Sequence, residues 1–411
     1  MTRIVIITRA FPYLPGEQFV EPEAPFWGRR DAEVVVMPFT AQGEPRALPD
    51  TVRVDHCLAD LSEDQRRASR IKALSSPLLF REVAWLARNR RLNTATAKEA
   101  LRAVSGALLV RDALAAWIAV NGSVDVVYTY WWDVWTYGAQ LLKGDGVGHV
   151  VTRAHRYDLY EDRHPSGYLG LKRQLGRQLD AQFAISIDGR RAAIDQYGLP
   201  EDLVRLAPLG VEIPDSLASS SAPGELHVLS TALMNPVKRI DRLVDGLDLL
   251  CREHPDLQVR WTHFGGGDLY DTILAQVRGL SGLTNLSVEM PGNVSNDTIR
   301  EHLSSQPVDV FVNTSESEGV PVSIMEAMAF GVPTIAPAVG GIGDIVPAEG
   351  PGGQLLSCSP DGGEVAGALW RWHKSCKDPS ERHAARAVVE ADYDRAKNFT
   401  GLLDELVAMA G

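Results

Sequence analysis

Short runs of β-branched and other apolar residues recur along this 411-residue chain, each followed by a stretch with helical spacing. In the first half they fall at 4–8, 33–37, 124–128, 149–152, 183–187 and 204–207, with amphipathic stretches such as 100–120 and 171–179 between them. Continuous apolar strands separated by helices predict a parallel sheet covered on both faces. The alternation breaks at 214–224 (PDSLASSSAPG), a small, polar, proline-flanked stretch with nothing to bury, which reads as a linker. It restarts with runs at 227–230, 259–264, 286–289, 308–313 and 334–336. The expected fold class is α/β, with two Rossmann-like doubly wound domains in series, 1–213 and 225–389, joined by 214–224. The length suits two cores better than one. Ligands of doubly wound sheets sit at the carboxyl ends of the strands, so the site is expected where the domains face each other across a cleft.

Composition removes several classes of function. A formal net charge of −12 argues against nucleic acid as a partner, because a phosphate backbone needs a basic surface. Cys57, Cys251, Cys358 and Cys376 lie far apart with no CxxC spacing, so neither a zinc site nor a disulfide framework is expected. The first residues (MTRIVIITRAFP) hold only a short apolar run, which reads as a buried strand in a cytoplasmic protein. A dinucleotide fingerprint is missing, since 264–270 (FGGGDLY) and 339–344 (VGGIGD) both lack the third glycine.

The most informative stretch is 308–333, VDVFVNTSESEGVPVSIMEAMAFGVP. A buried strand enters a short turn, and a helix begins near Pro321 or Val322. Glu318 stands just before that helix, where unpaired N–H groups and the dipole favour a negative partner. Glu326 lies further along it, so two carboxylates can address one ligand from the loop and the first turns. Gly319 lets backbone amides approach without a Cβ in the way. Taken alone, the pair also fits a helix cap followed by a surface residue.

The spacing of Glu318 and Glu326, with Gly319, Pro321 and the following AMAFGVP, resembles the signature of family 4 retaining glycosyltransferases. The resemblance implies the GT-B fold and a nucleotide-sugar donor, UDP-linked first and GDP-linked next. It implies that Glu318 bonds the sugar hydroxyls, that Gly319, Val320 and Pro321 help hold the sugar, and that Glu326 binds the ribose. The stretch 233–241 (LMNPVKRID) resembles the family's phosphate loop, with Lys238 and Arg239 meeting the diphosphate. One departure stands there: the family's arginine, five residues before the lysine, is Leu233. In 152–160 (TRAHRYDLY), His155 resembles the histidine that sits near the donor sugar, with Arg153 beside it and Asp158 toward the acceptor. Gly16 and Glu17 lie in a loop similar to the one that closes on the donor phosphates or shapes the acceptor site, though Glu17 also fits a cap on the helix that follows. Gly292 and Asn293 stand where the family's backbone meets the base, and 390–411 resembles the helix that packs back on the first domain.

The combination is closest in pattern to bacterial glycosyltransferases that build surface polysaccharides or related glycoconjugates. The implied chemistry is front-face displacement with retention, without a metal and without a covalent intermediate. Lys238 and helix N-termini then carry the leaving group's charge. The acceptor is a hydroxyl of a glycan, a lipid-linked sugar or a small molecule. Tyr130 and Trp131 follow a strand and suit either stacking on an acceptor or filling a core. Residues 62–91 hold eight Arg or Lys against three acids, with Leu78, Leu79, Phe80, Trp85 and Leu86 interleaved. That suits either a solvated helical face or peripheral contact with the inner membrane surface. A nucleotide-sugar 2-epimerase and a nucleotide-sugar binding module without activity are the alternatives.

Overall fold

A computed structural model describes Thr2–Gly411. The first sheet has seven strands: β1 (Thr2–Thr8), β2 (Ala32–Pro38), β3 (Val52–Val54), β4 (Val124–Thr129), β5 (Val147–Ala154), β6 (Ala181–Ala184) and β7 (Val204–Leu206). They run in the order β3-β2-β1-β4-β5-β6-β7, every neighbouring pair parallel. The second sheet comprises β8 (Glu225–Thr231), β9 (Gln258–Phe264), β10 (Leu286–Gly292), β11 (Val310–Val312), β12 (Thr334–Pro337), β13 (Glu349–Gly350) and β14 (Gly353–Leu356). Its order is β10-β9-β8-β11-β12-β14-β13, parallel except for the β13–β14 pair. Both orders reverse direction beside their first strand, at β1/β4 and at β8/β11. These are the points where doubly wound sheets open a crevice for ligands.

Alternation along β1 divides the first core. Val5 and Ile7 pack toward Ala103, Ala107, Val110 and Leu114 of the long helix Thr94–Asn121. Ile4 and Ile6 face the other way, toward Leu402, Leu403 and Leu406 of the helix Arg395–Met409. The returning helix therefore starts at Arg395, because Pro379–Asp392 is a separate helix ending before Tyr393. Thr94–Asn121 is long and apolar enough to cross a membrane, but half of its apolar window is buried in the protein.

The domain break lies at Pro208/Leu209, with Ala396–Gly411 returning to the first unit. The expected linker at 214–224 is instead a strap fastened to the second domain. Ala218 N donates to Phe330 O (2.8 Å), Arg382 Nη2 to Ala218 O (2.6 Å), and Arg386 Nη2 to Pro214 O (2.6 Å). Ser221 N bonds Asp309 Oδ1 (3.0 Å), and Lys377 Nζ reaches Ala222 O (2.7 Å). Basic side chains from 377–386 satisfy the strap's carbonyls, and Ala218 is buried, so this largely polar stretch is ordered. The run expected as a strand at 183–187 also ends early. Ser186 Oγ accepts from Gly189 N (2.9 Å), and this cap starts the helix Ile187–Tyr197.

Candidate active site

In the second domain, the loop leaving β8 is shaped by Asn235, whose Oδ1 accepts from Val237 N (3.1 Å) and Lys238 N (3.2 Å). This turns the chain so that Lys238 Nζ ion-pairs with Glu318 Oε1 at 2.6 Å. The loop leaving β11 supplies the rest. Ser315 Oγ donates to the same oxygen (2.6 Å), as does Asn313 Nδ2 (3.3 Å). Glu318 is only 8% exposed, so its charge is stable there because a cation and these donors compensate the lost water. Two bonds stitch the loops together: Glu316 N to Val237 O (2.8 Å) and Thr314 Oγ1 to Lys238 O (3.1 Å).

A helix, Val322–Ala329, follows with Pro321 at its N-cap. Val320 and Pro321 are buried beneath the loop, and Gly319 O accepts from Gly341 N (2.8 Å). Glu326 receives a bond from Asn296 Nδ2 (3.2 Å). Burial pushes its carboxyl up to about 7, against the opposing pull of Arg300. Gly292 has φ +79° and accepts from Gly265 N (2.9 Å), while Asn293 Oδ1 accepts from Gly266 N (2.7 Å). The side chain of Asn293 thus braces the 265–267 loop. That loop touches the loop after β8 so closely that a Cβ at Gly265 would lie 1.9 Å from Ala232 O. These glycines serve backbone packing between the two loops.

Arg239 departs from its expected part. Its guanidinium is held by Asp241 (3.0 Å) and by Glu316, so two carboxylates already balance its charge. Leu233 is 58% exposed on the same loop.

In the first domain a cavity of about 540 Å³ opens at the carboxyl ends of β1, β2, β4 and β5, lined among others by Arg9, Arg102, Trp131, Trp132, Trp135 and Asp158. Asp158 and Lys172 clamp its floor. Asp158 Oδ2 accepts from Trp132 N (2.6 Å), and Lys172 Nζ donates to Trp132 O (2.5 Å) while lying 4.0 Å over the indole. Burial drives the Asp158 carboxyl up and the Lys172 ammonium down, and each charge opposes the other's shift. Lys172 carries one signal in the sequence, its place directly after the apolar run 168–171 (YLGL). Asn313 and Ser315, within the quoted motif, were passed over.

His155 is buried between Tyr130 (5.0 Å between rings) and Trp131 (4.7 Å). Burial and the charge of Arg153 hold its imidazole well below the usual histidine range, so the ring is neutral. Its Nε2 has no hydrogen-bond partner among the described residues, and a buried polar atom of this kind needs a water or a ligand group to satisfy it.

Three expected contacts are corrected. Arg153 is fully buried and ion-paired at 2.6 Å to Glu23, itself fully buried, with a further bond to Ala207 O (3.2 Å). It is a core ion pair that a donor does not reach, because a charge this deep must be matched from within. Tyr130 is likewise fully buried and supports His155 from below. The carboxylate of Glu17 is engaged by the amides of Arg9 (3.2 Å), Ala10 (2.5 Å) and Phe11 (2.6 Å) and by Trp131 Nε1 (2.6 Å). It braces the turn after β1 and orients Trp131. Gly16 has φ +107°, and its carbonyl accepts from Arg46 Nη2 (2.9 Å). Among the described residues no three His, Cys, Asp or Glu side chains stand together as a metal ligand set.

Residues 225–374 match the family described as glycosyl transferases group 1. Among curated proteins, the putative colanic acid biosynthesis glycosyltransferase WcaL of Escherichia coli K12 is 23% identical over 239 residues, 56% of this chain and 57% of that one. The D-inositol 3-phosphate glycosyltransferase of Paenarthrobacter aurescens is 23% identical over 242 residues, 54% and 58% of the two chains. The chain spans a little over half the length of the curated relatives it matches. Among solved structures, the lipopolysaccharide outer core galactosyltransferase WaaB in its apo form aligns with TM-score 0.70 and 17% identity over 98% of this chain and 99% of that one. HepE of Anabaena, in complex with UDP and glucose, aligns with TM-score 0.63 and 16% identity over 99% and 100%. At these identities the likeness carries the fold, which is GT-B.

Proposed function

Since residues 225–374 carry a glycosyl transferases group 1 domain, we propose that the protein is a retaining glycosyltransferase. In this reading it moves a hexose from a nucleotide sugar to a hydroxyl acceptor. One observation carries it: a buried glutamate, Glu318, paired at 2.6 Å with Lys238 where two loops meet at the switch point of the second sheet. Lys238 passes to the donor's diphosphate and releases Glu318 to accept from the sugar hydroxyls. Glu326, ionised, accepts from the ribose hydroxyls. The acceptor oxygen bonds to the anomeric carbon on the face the leaving group departs, the carbon–phosphate oxygen bond breaks, and the acceptor's proton goes to the phosphate oxygen. Lys238 and the N-terminus of Val322–Ala329 stabilise the charge that develops. No metal enters this scheme.

UDP is the favoured nucleotide, supported by the UDP held in HepE. The tryptophan-lined cavity of the first domain is read as the acceptor seat, with a glycan or lipid-linked sugar as the class its rings suit. His155, neutral and held between Tyr130 and Trp131, contacts a sugar hydroxyl through its Nε2. Such a reaction belongs in the cytoplasm. A second reading, binding without transfer, is favoured by the exposed Leu233 and by the two carboxylates that hold Arg239, which leave one lysine for the diphosphate. The test is incubation with UDP-, GDP-, ADP- and dTDP-sugars and candidate acceptors in EDTA, with the product anomer read by NMR. Retained configuration supports the proposal. Inversion, or a requirement for divalent metal, sinks the mechanism, and tight binding without product selects the second reading.

A further inference from the structure

Two consecutive helices of the first domain, Glu63–Leu74 and Pro77–Arg88, present apolar side chains to solvent. Ile71 is 62% exposed, Leu74 60% and Phe80 62%. Arg67, Ile71 and Leu74 follow one another at the spacing of a single helical face, and Phe80, Ala84 and Arg88 do the same on the second helix. All six are exposed.

The charges around this patch are mostly basic. Of the eight basic residues in 62–91, Arg66, Lys72 and Arg91 have carboxylate partners at Glu63 (3.8 Å), Asp112 (2.7 Å) and Glu161 (2.9 Å). Arg67, Arg70, Arg81, Arg88 and Arg90 are exposed and have no carboxylate partner among the described residues. The segment's exposed acids are confined to one end of the patch. Glu63 and Asp64 stand in the first turn of the first helix, and Glu82 is buried, accepting from Leu171 N (3.2 Å). A chain of net charge −12 thus concentrates unmatched arginines around exposed Ile, Leu and Phe.

We propose that this helix pair docks on an anionic lipid bilayer. The arginines meet lipid phosphates while Ile71, Leu74 and Phe80 enter the boundary between headgroups and acyl chains. Nucleic acid fits poorly, because three large apolar groups at the centre of the patch have no use on a phosphate backbone. The patch also leads into the cavity of the same domain. A groove of about 370 Å³, bounded by Arg66 and Arg70, shares Phe39, Arg102 and Val134 with the cavity read as the acceptor seat. Resting on that reading, the groove gives a lipid-linked acceptor a path from the surface to the seat.

Co-sedimentation with vesicles tests the docking without any need for turnover. Vesicles of equal parts phosphatidylcholine and phosphatidylglycerol are expected to bind the full chain at least ~10-fold more tightly than phosphatidylcholine alone, with the difference shrinking in high salt. The triple variant Ile71→Ser, Leu74→Ser, Phe80→Ser is expected to lose binding about 10-fold at an unchanged melting temperature. A second variant, Arg67→Gln, Arg81→Gln, Arg88→Gln, should lose the preference for the anionic vesicle. Equal binding to both vesicles, no binding to either, or variants that bind as the parent does would overturn the proposal. So would a mass in solution of two chains that falls to one in the triple variant, which would assign the patch to a second copy.

Discussion

Lys238 Nζ and Glu318 Oε1 lie 2.6 Å apart, joining the loop after β8 to the loop after β11 through an ion pair that is largely screened from water. Both loops leave the sheet at the point where its strand order reverses. The pair ties the two loops together, and under the proposed function it is the contact that a donor diphosphate would break.

Replacing Lys238 by Ala removes the ion pair from Glu318 and leaves it the bonds from Ser315 and Asn313. The lysine is partly exposed, so the expected loss of stability is about 1–2 kcal/mol, below the usual cost of breaking a fully buried pair. Turnover is expected to fall about 100-fold or more, since the leaving group loses its fixed positive charge. Thermal unfolding and the rate of nucleotide release measure the two effects separately. A turnover loss under 10-fold would place the diphosphate elsewhere.

Glu326 predicts a trade between stability and donor binding. Its folded carboxyl titrates near 7, well above the ordinary carboxylate value. The folded state therefore binds more protons than the unfolded one between those values, and this group's contribution to stability falls as pH rises toward 7. Glu326→Gln should flatten that dependence and raise the melting temperature above pH 7. The same change should weaken the donor, whose affinity for the parent should rise as pH passes through 7 and Glu326 ionises. An unchanged pH profile of donor affinity would remove Glu326 from the ribose.

Arg153→Ala separates a core role from a donor contact. Loss of the buried partner strands Glu23, so the expected cost is about 3–5 kcal/mol. The KM for donor in whatever protein remains folded should stay within about twofold of the parent. A selective rise in KM at unchanged stability would return Arg153 to the site.

Lys172 and Asp158 predict coupling through Trp132. Lys172→Met and Asp158→Asn should each destabilise by about 2–3 kcal/mol, and together by less than the sum, because each removes the other's compensating charge. Additive losses in a double-mutant cycle would show that the two act independently.

The two sheets were legible because their strands are apolar runs that survive without context. β3 and β14 escaped notice because they are short edge-region strands, three and four residues long, with exposed or polar members. Glu318, Glu326 and Lys238 stood out in the sequence through a resemblance to a family motif, while their spacing alone also fitted a helix cap followed by a surface residue. Arg153 was misread for a specific reason. β5 runs to Ala154, two residues past the strand expected at 149–152, and two-residue alternation then puts Arg153 on the same inward face as Val151. Its partner Glu23 is 130 positions away, and no local pattern reports that distance. The strap at 214–224 hid for the same reason, because the groups that order it come from Asp309 and from residues 377–386.

The most direct measurement is nucleotide release from UDP-sugars in EDTA, comparing the parent with Glu318→Ala, alongside calorimetric binding of UDP to both. The account predicts release by the parent, a loss of about 100-fold or more in the variant, and UDP affinity changed by less than about tenfold. Release that survives the substitution, or that stops in EDTA for the parent, would contradict a metal-independent site built on Glu318 and Lys238.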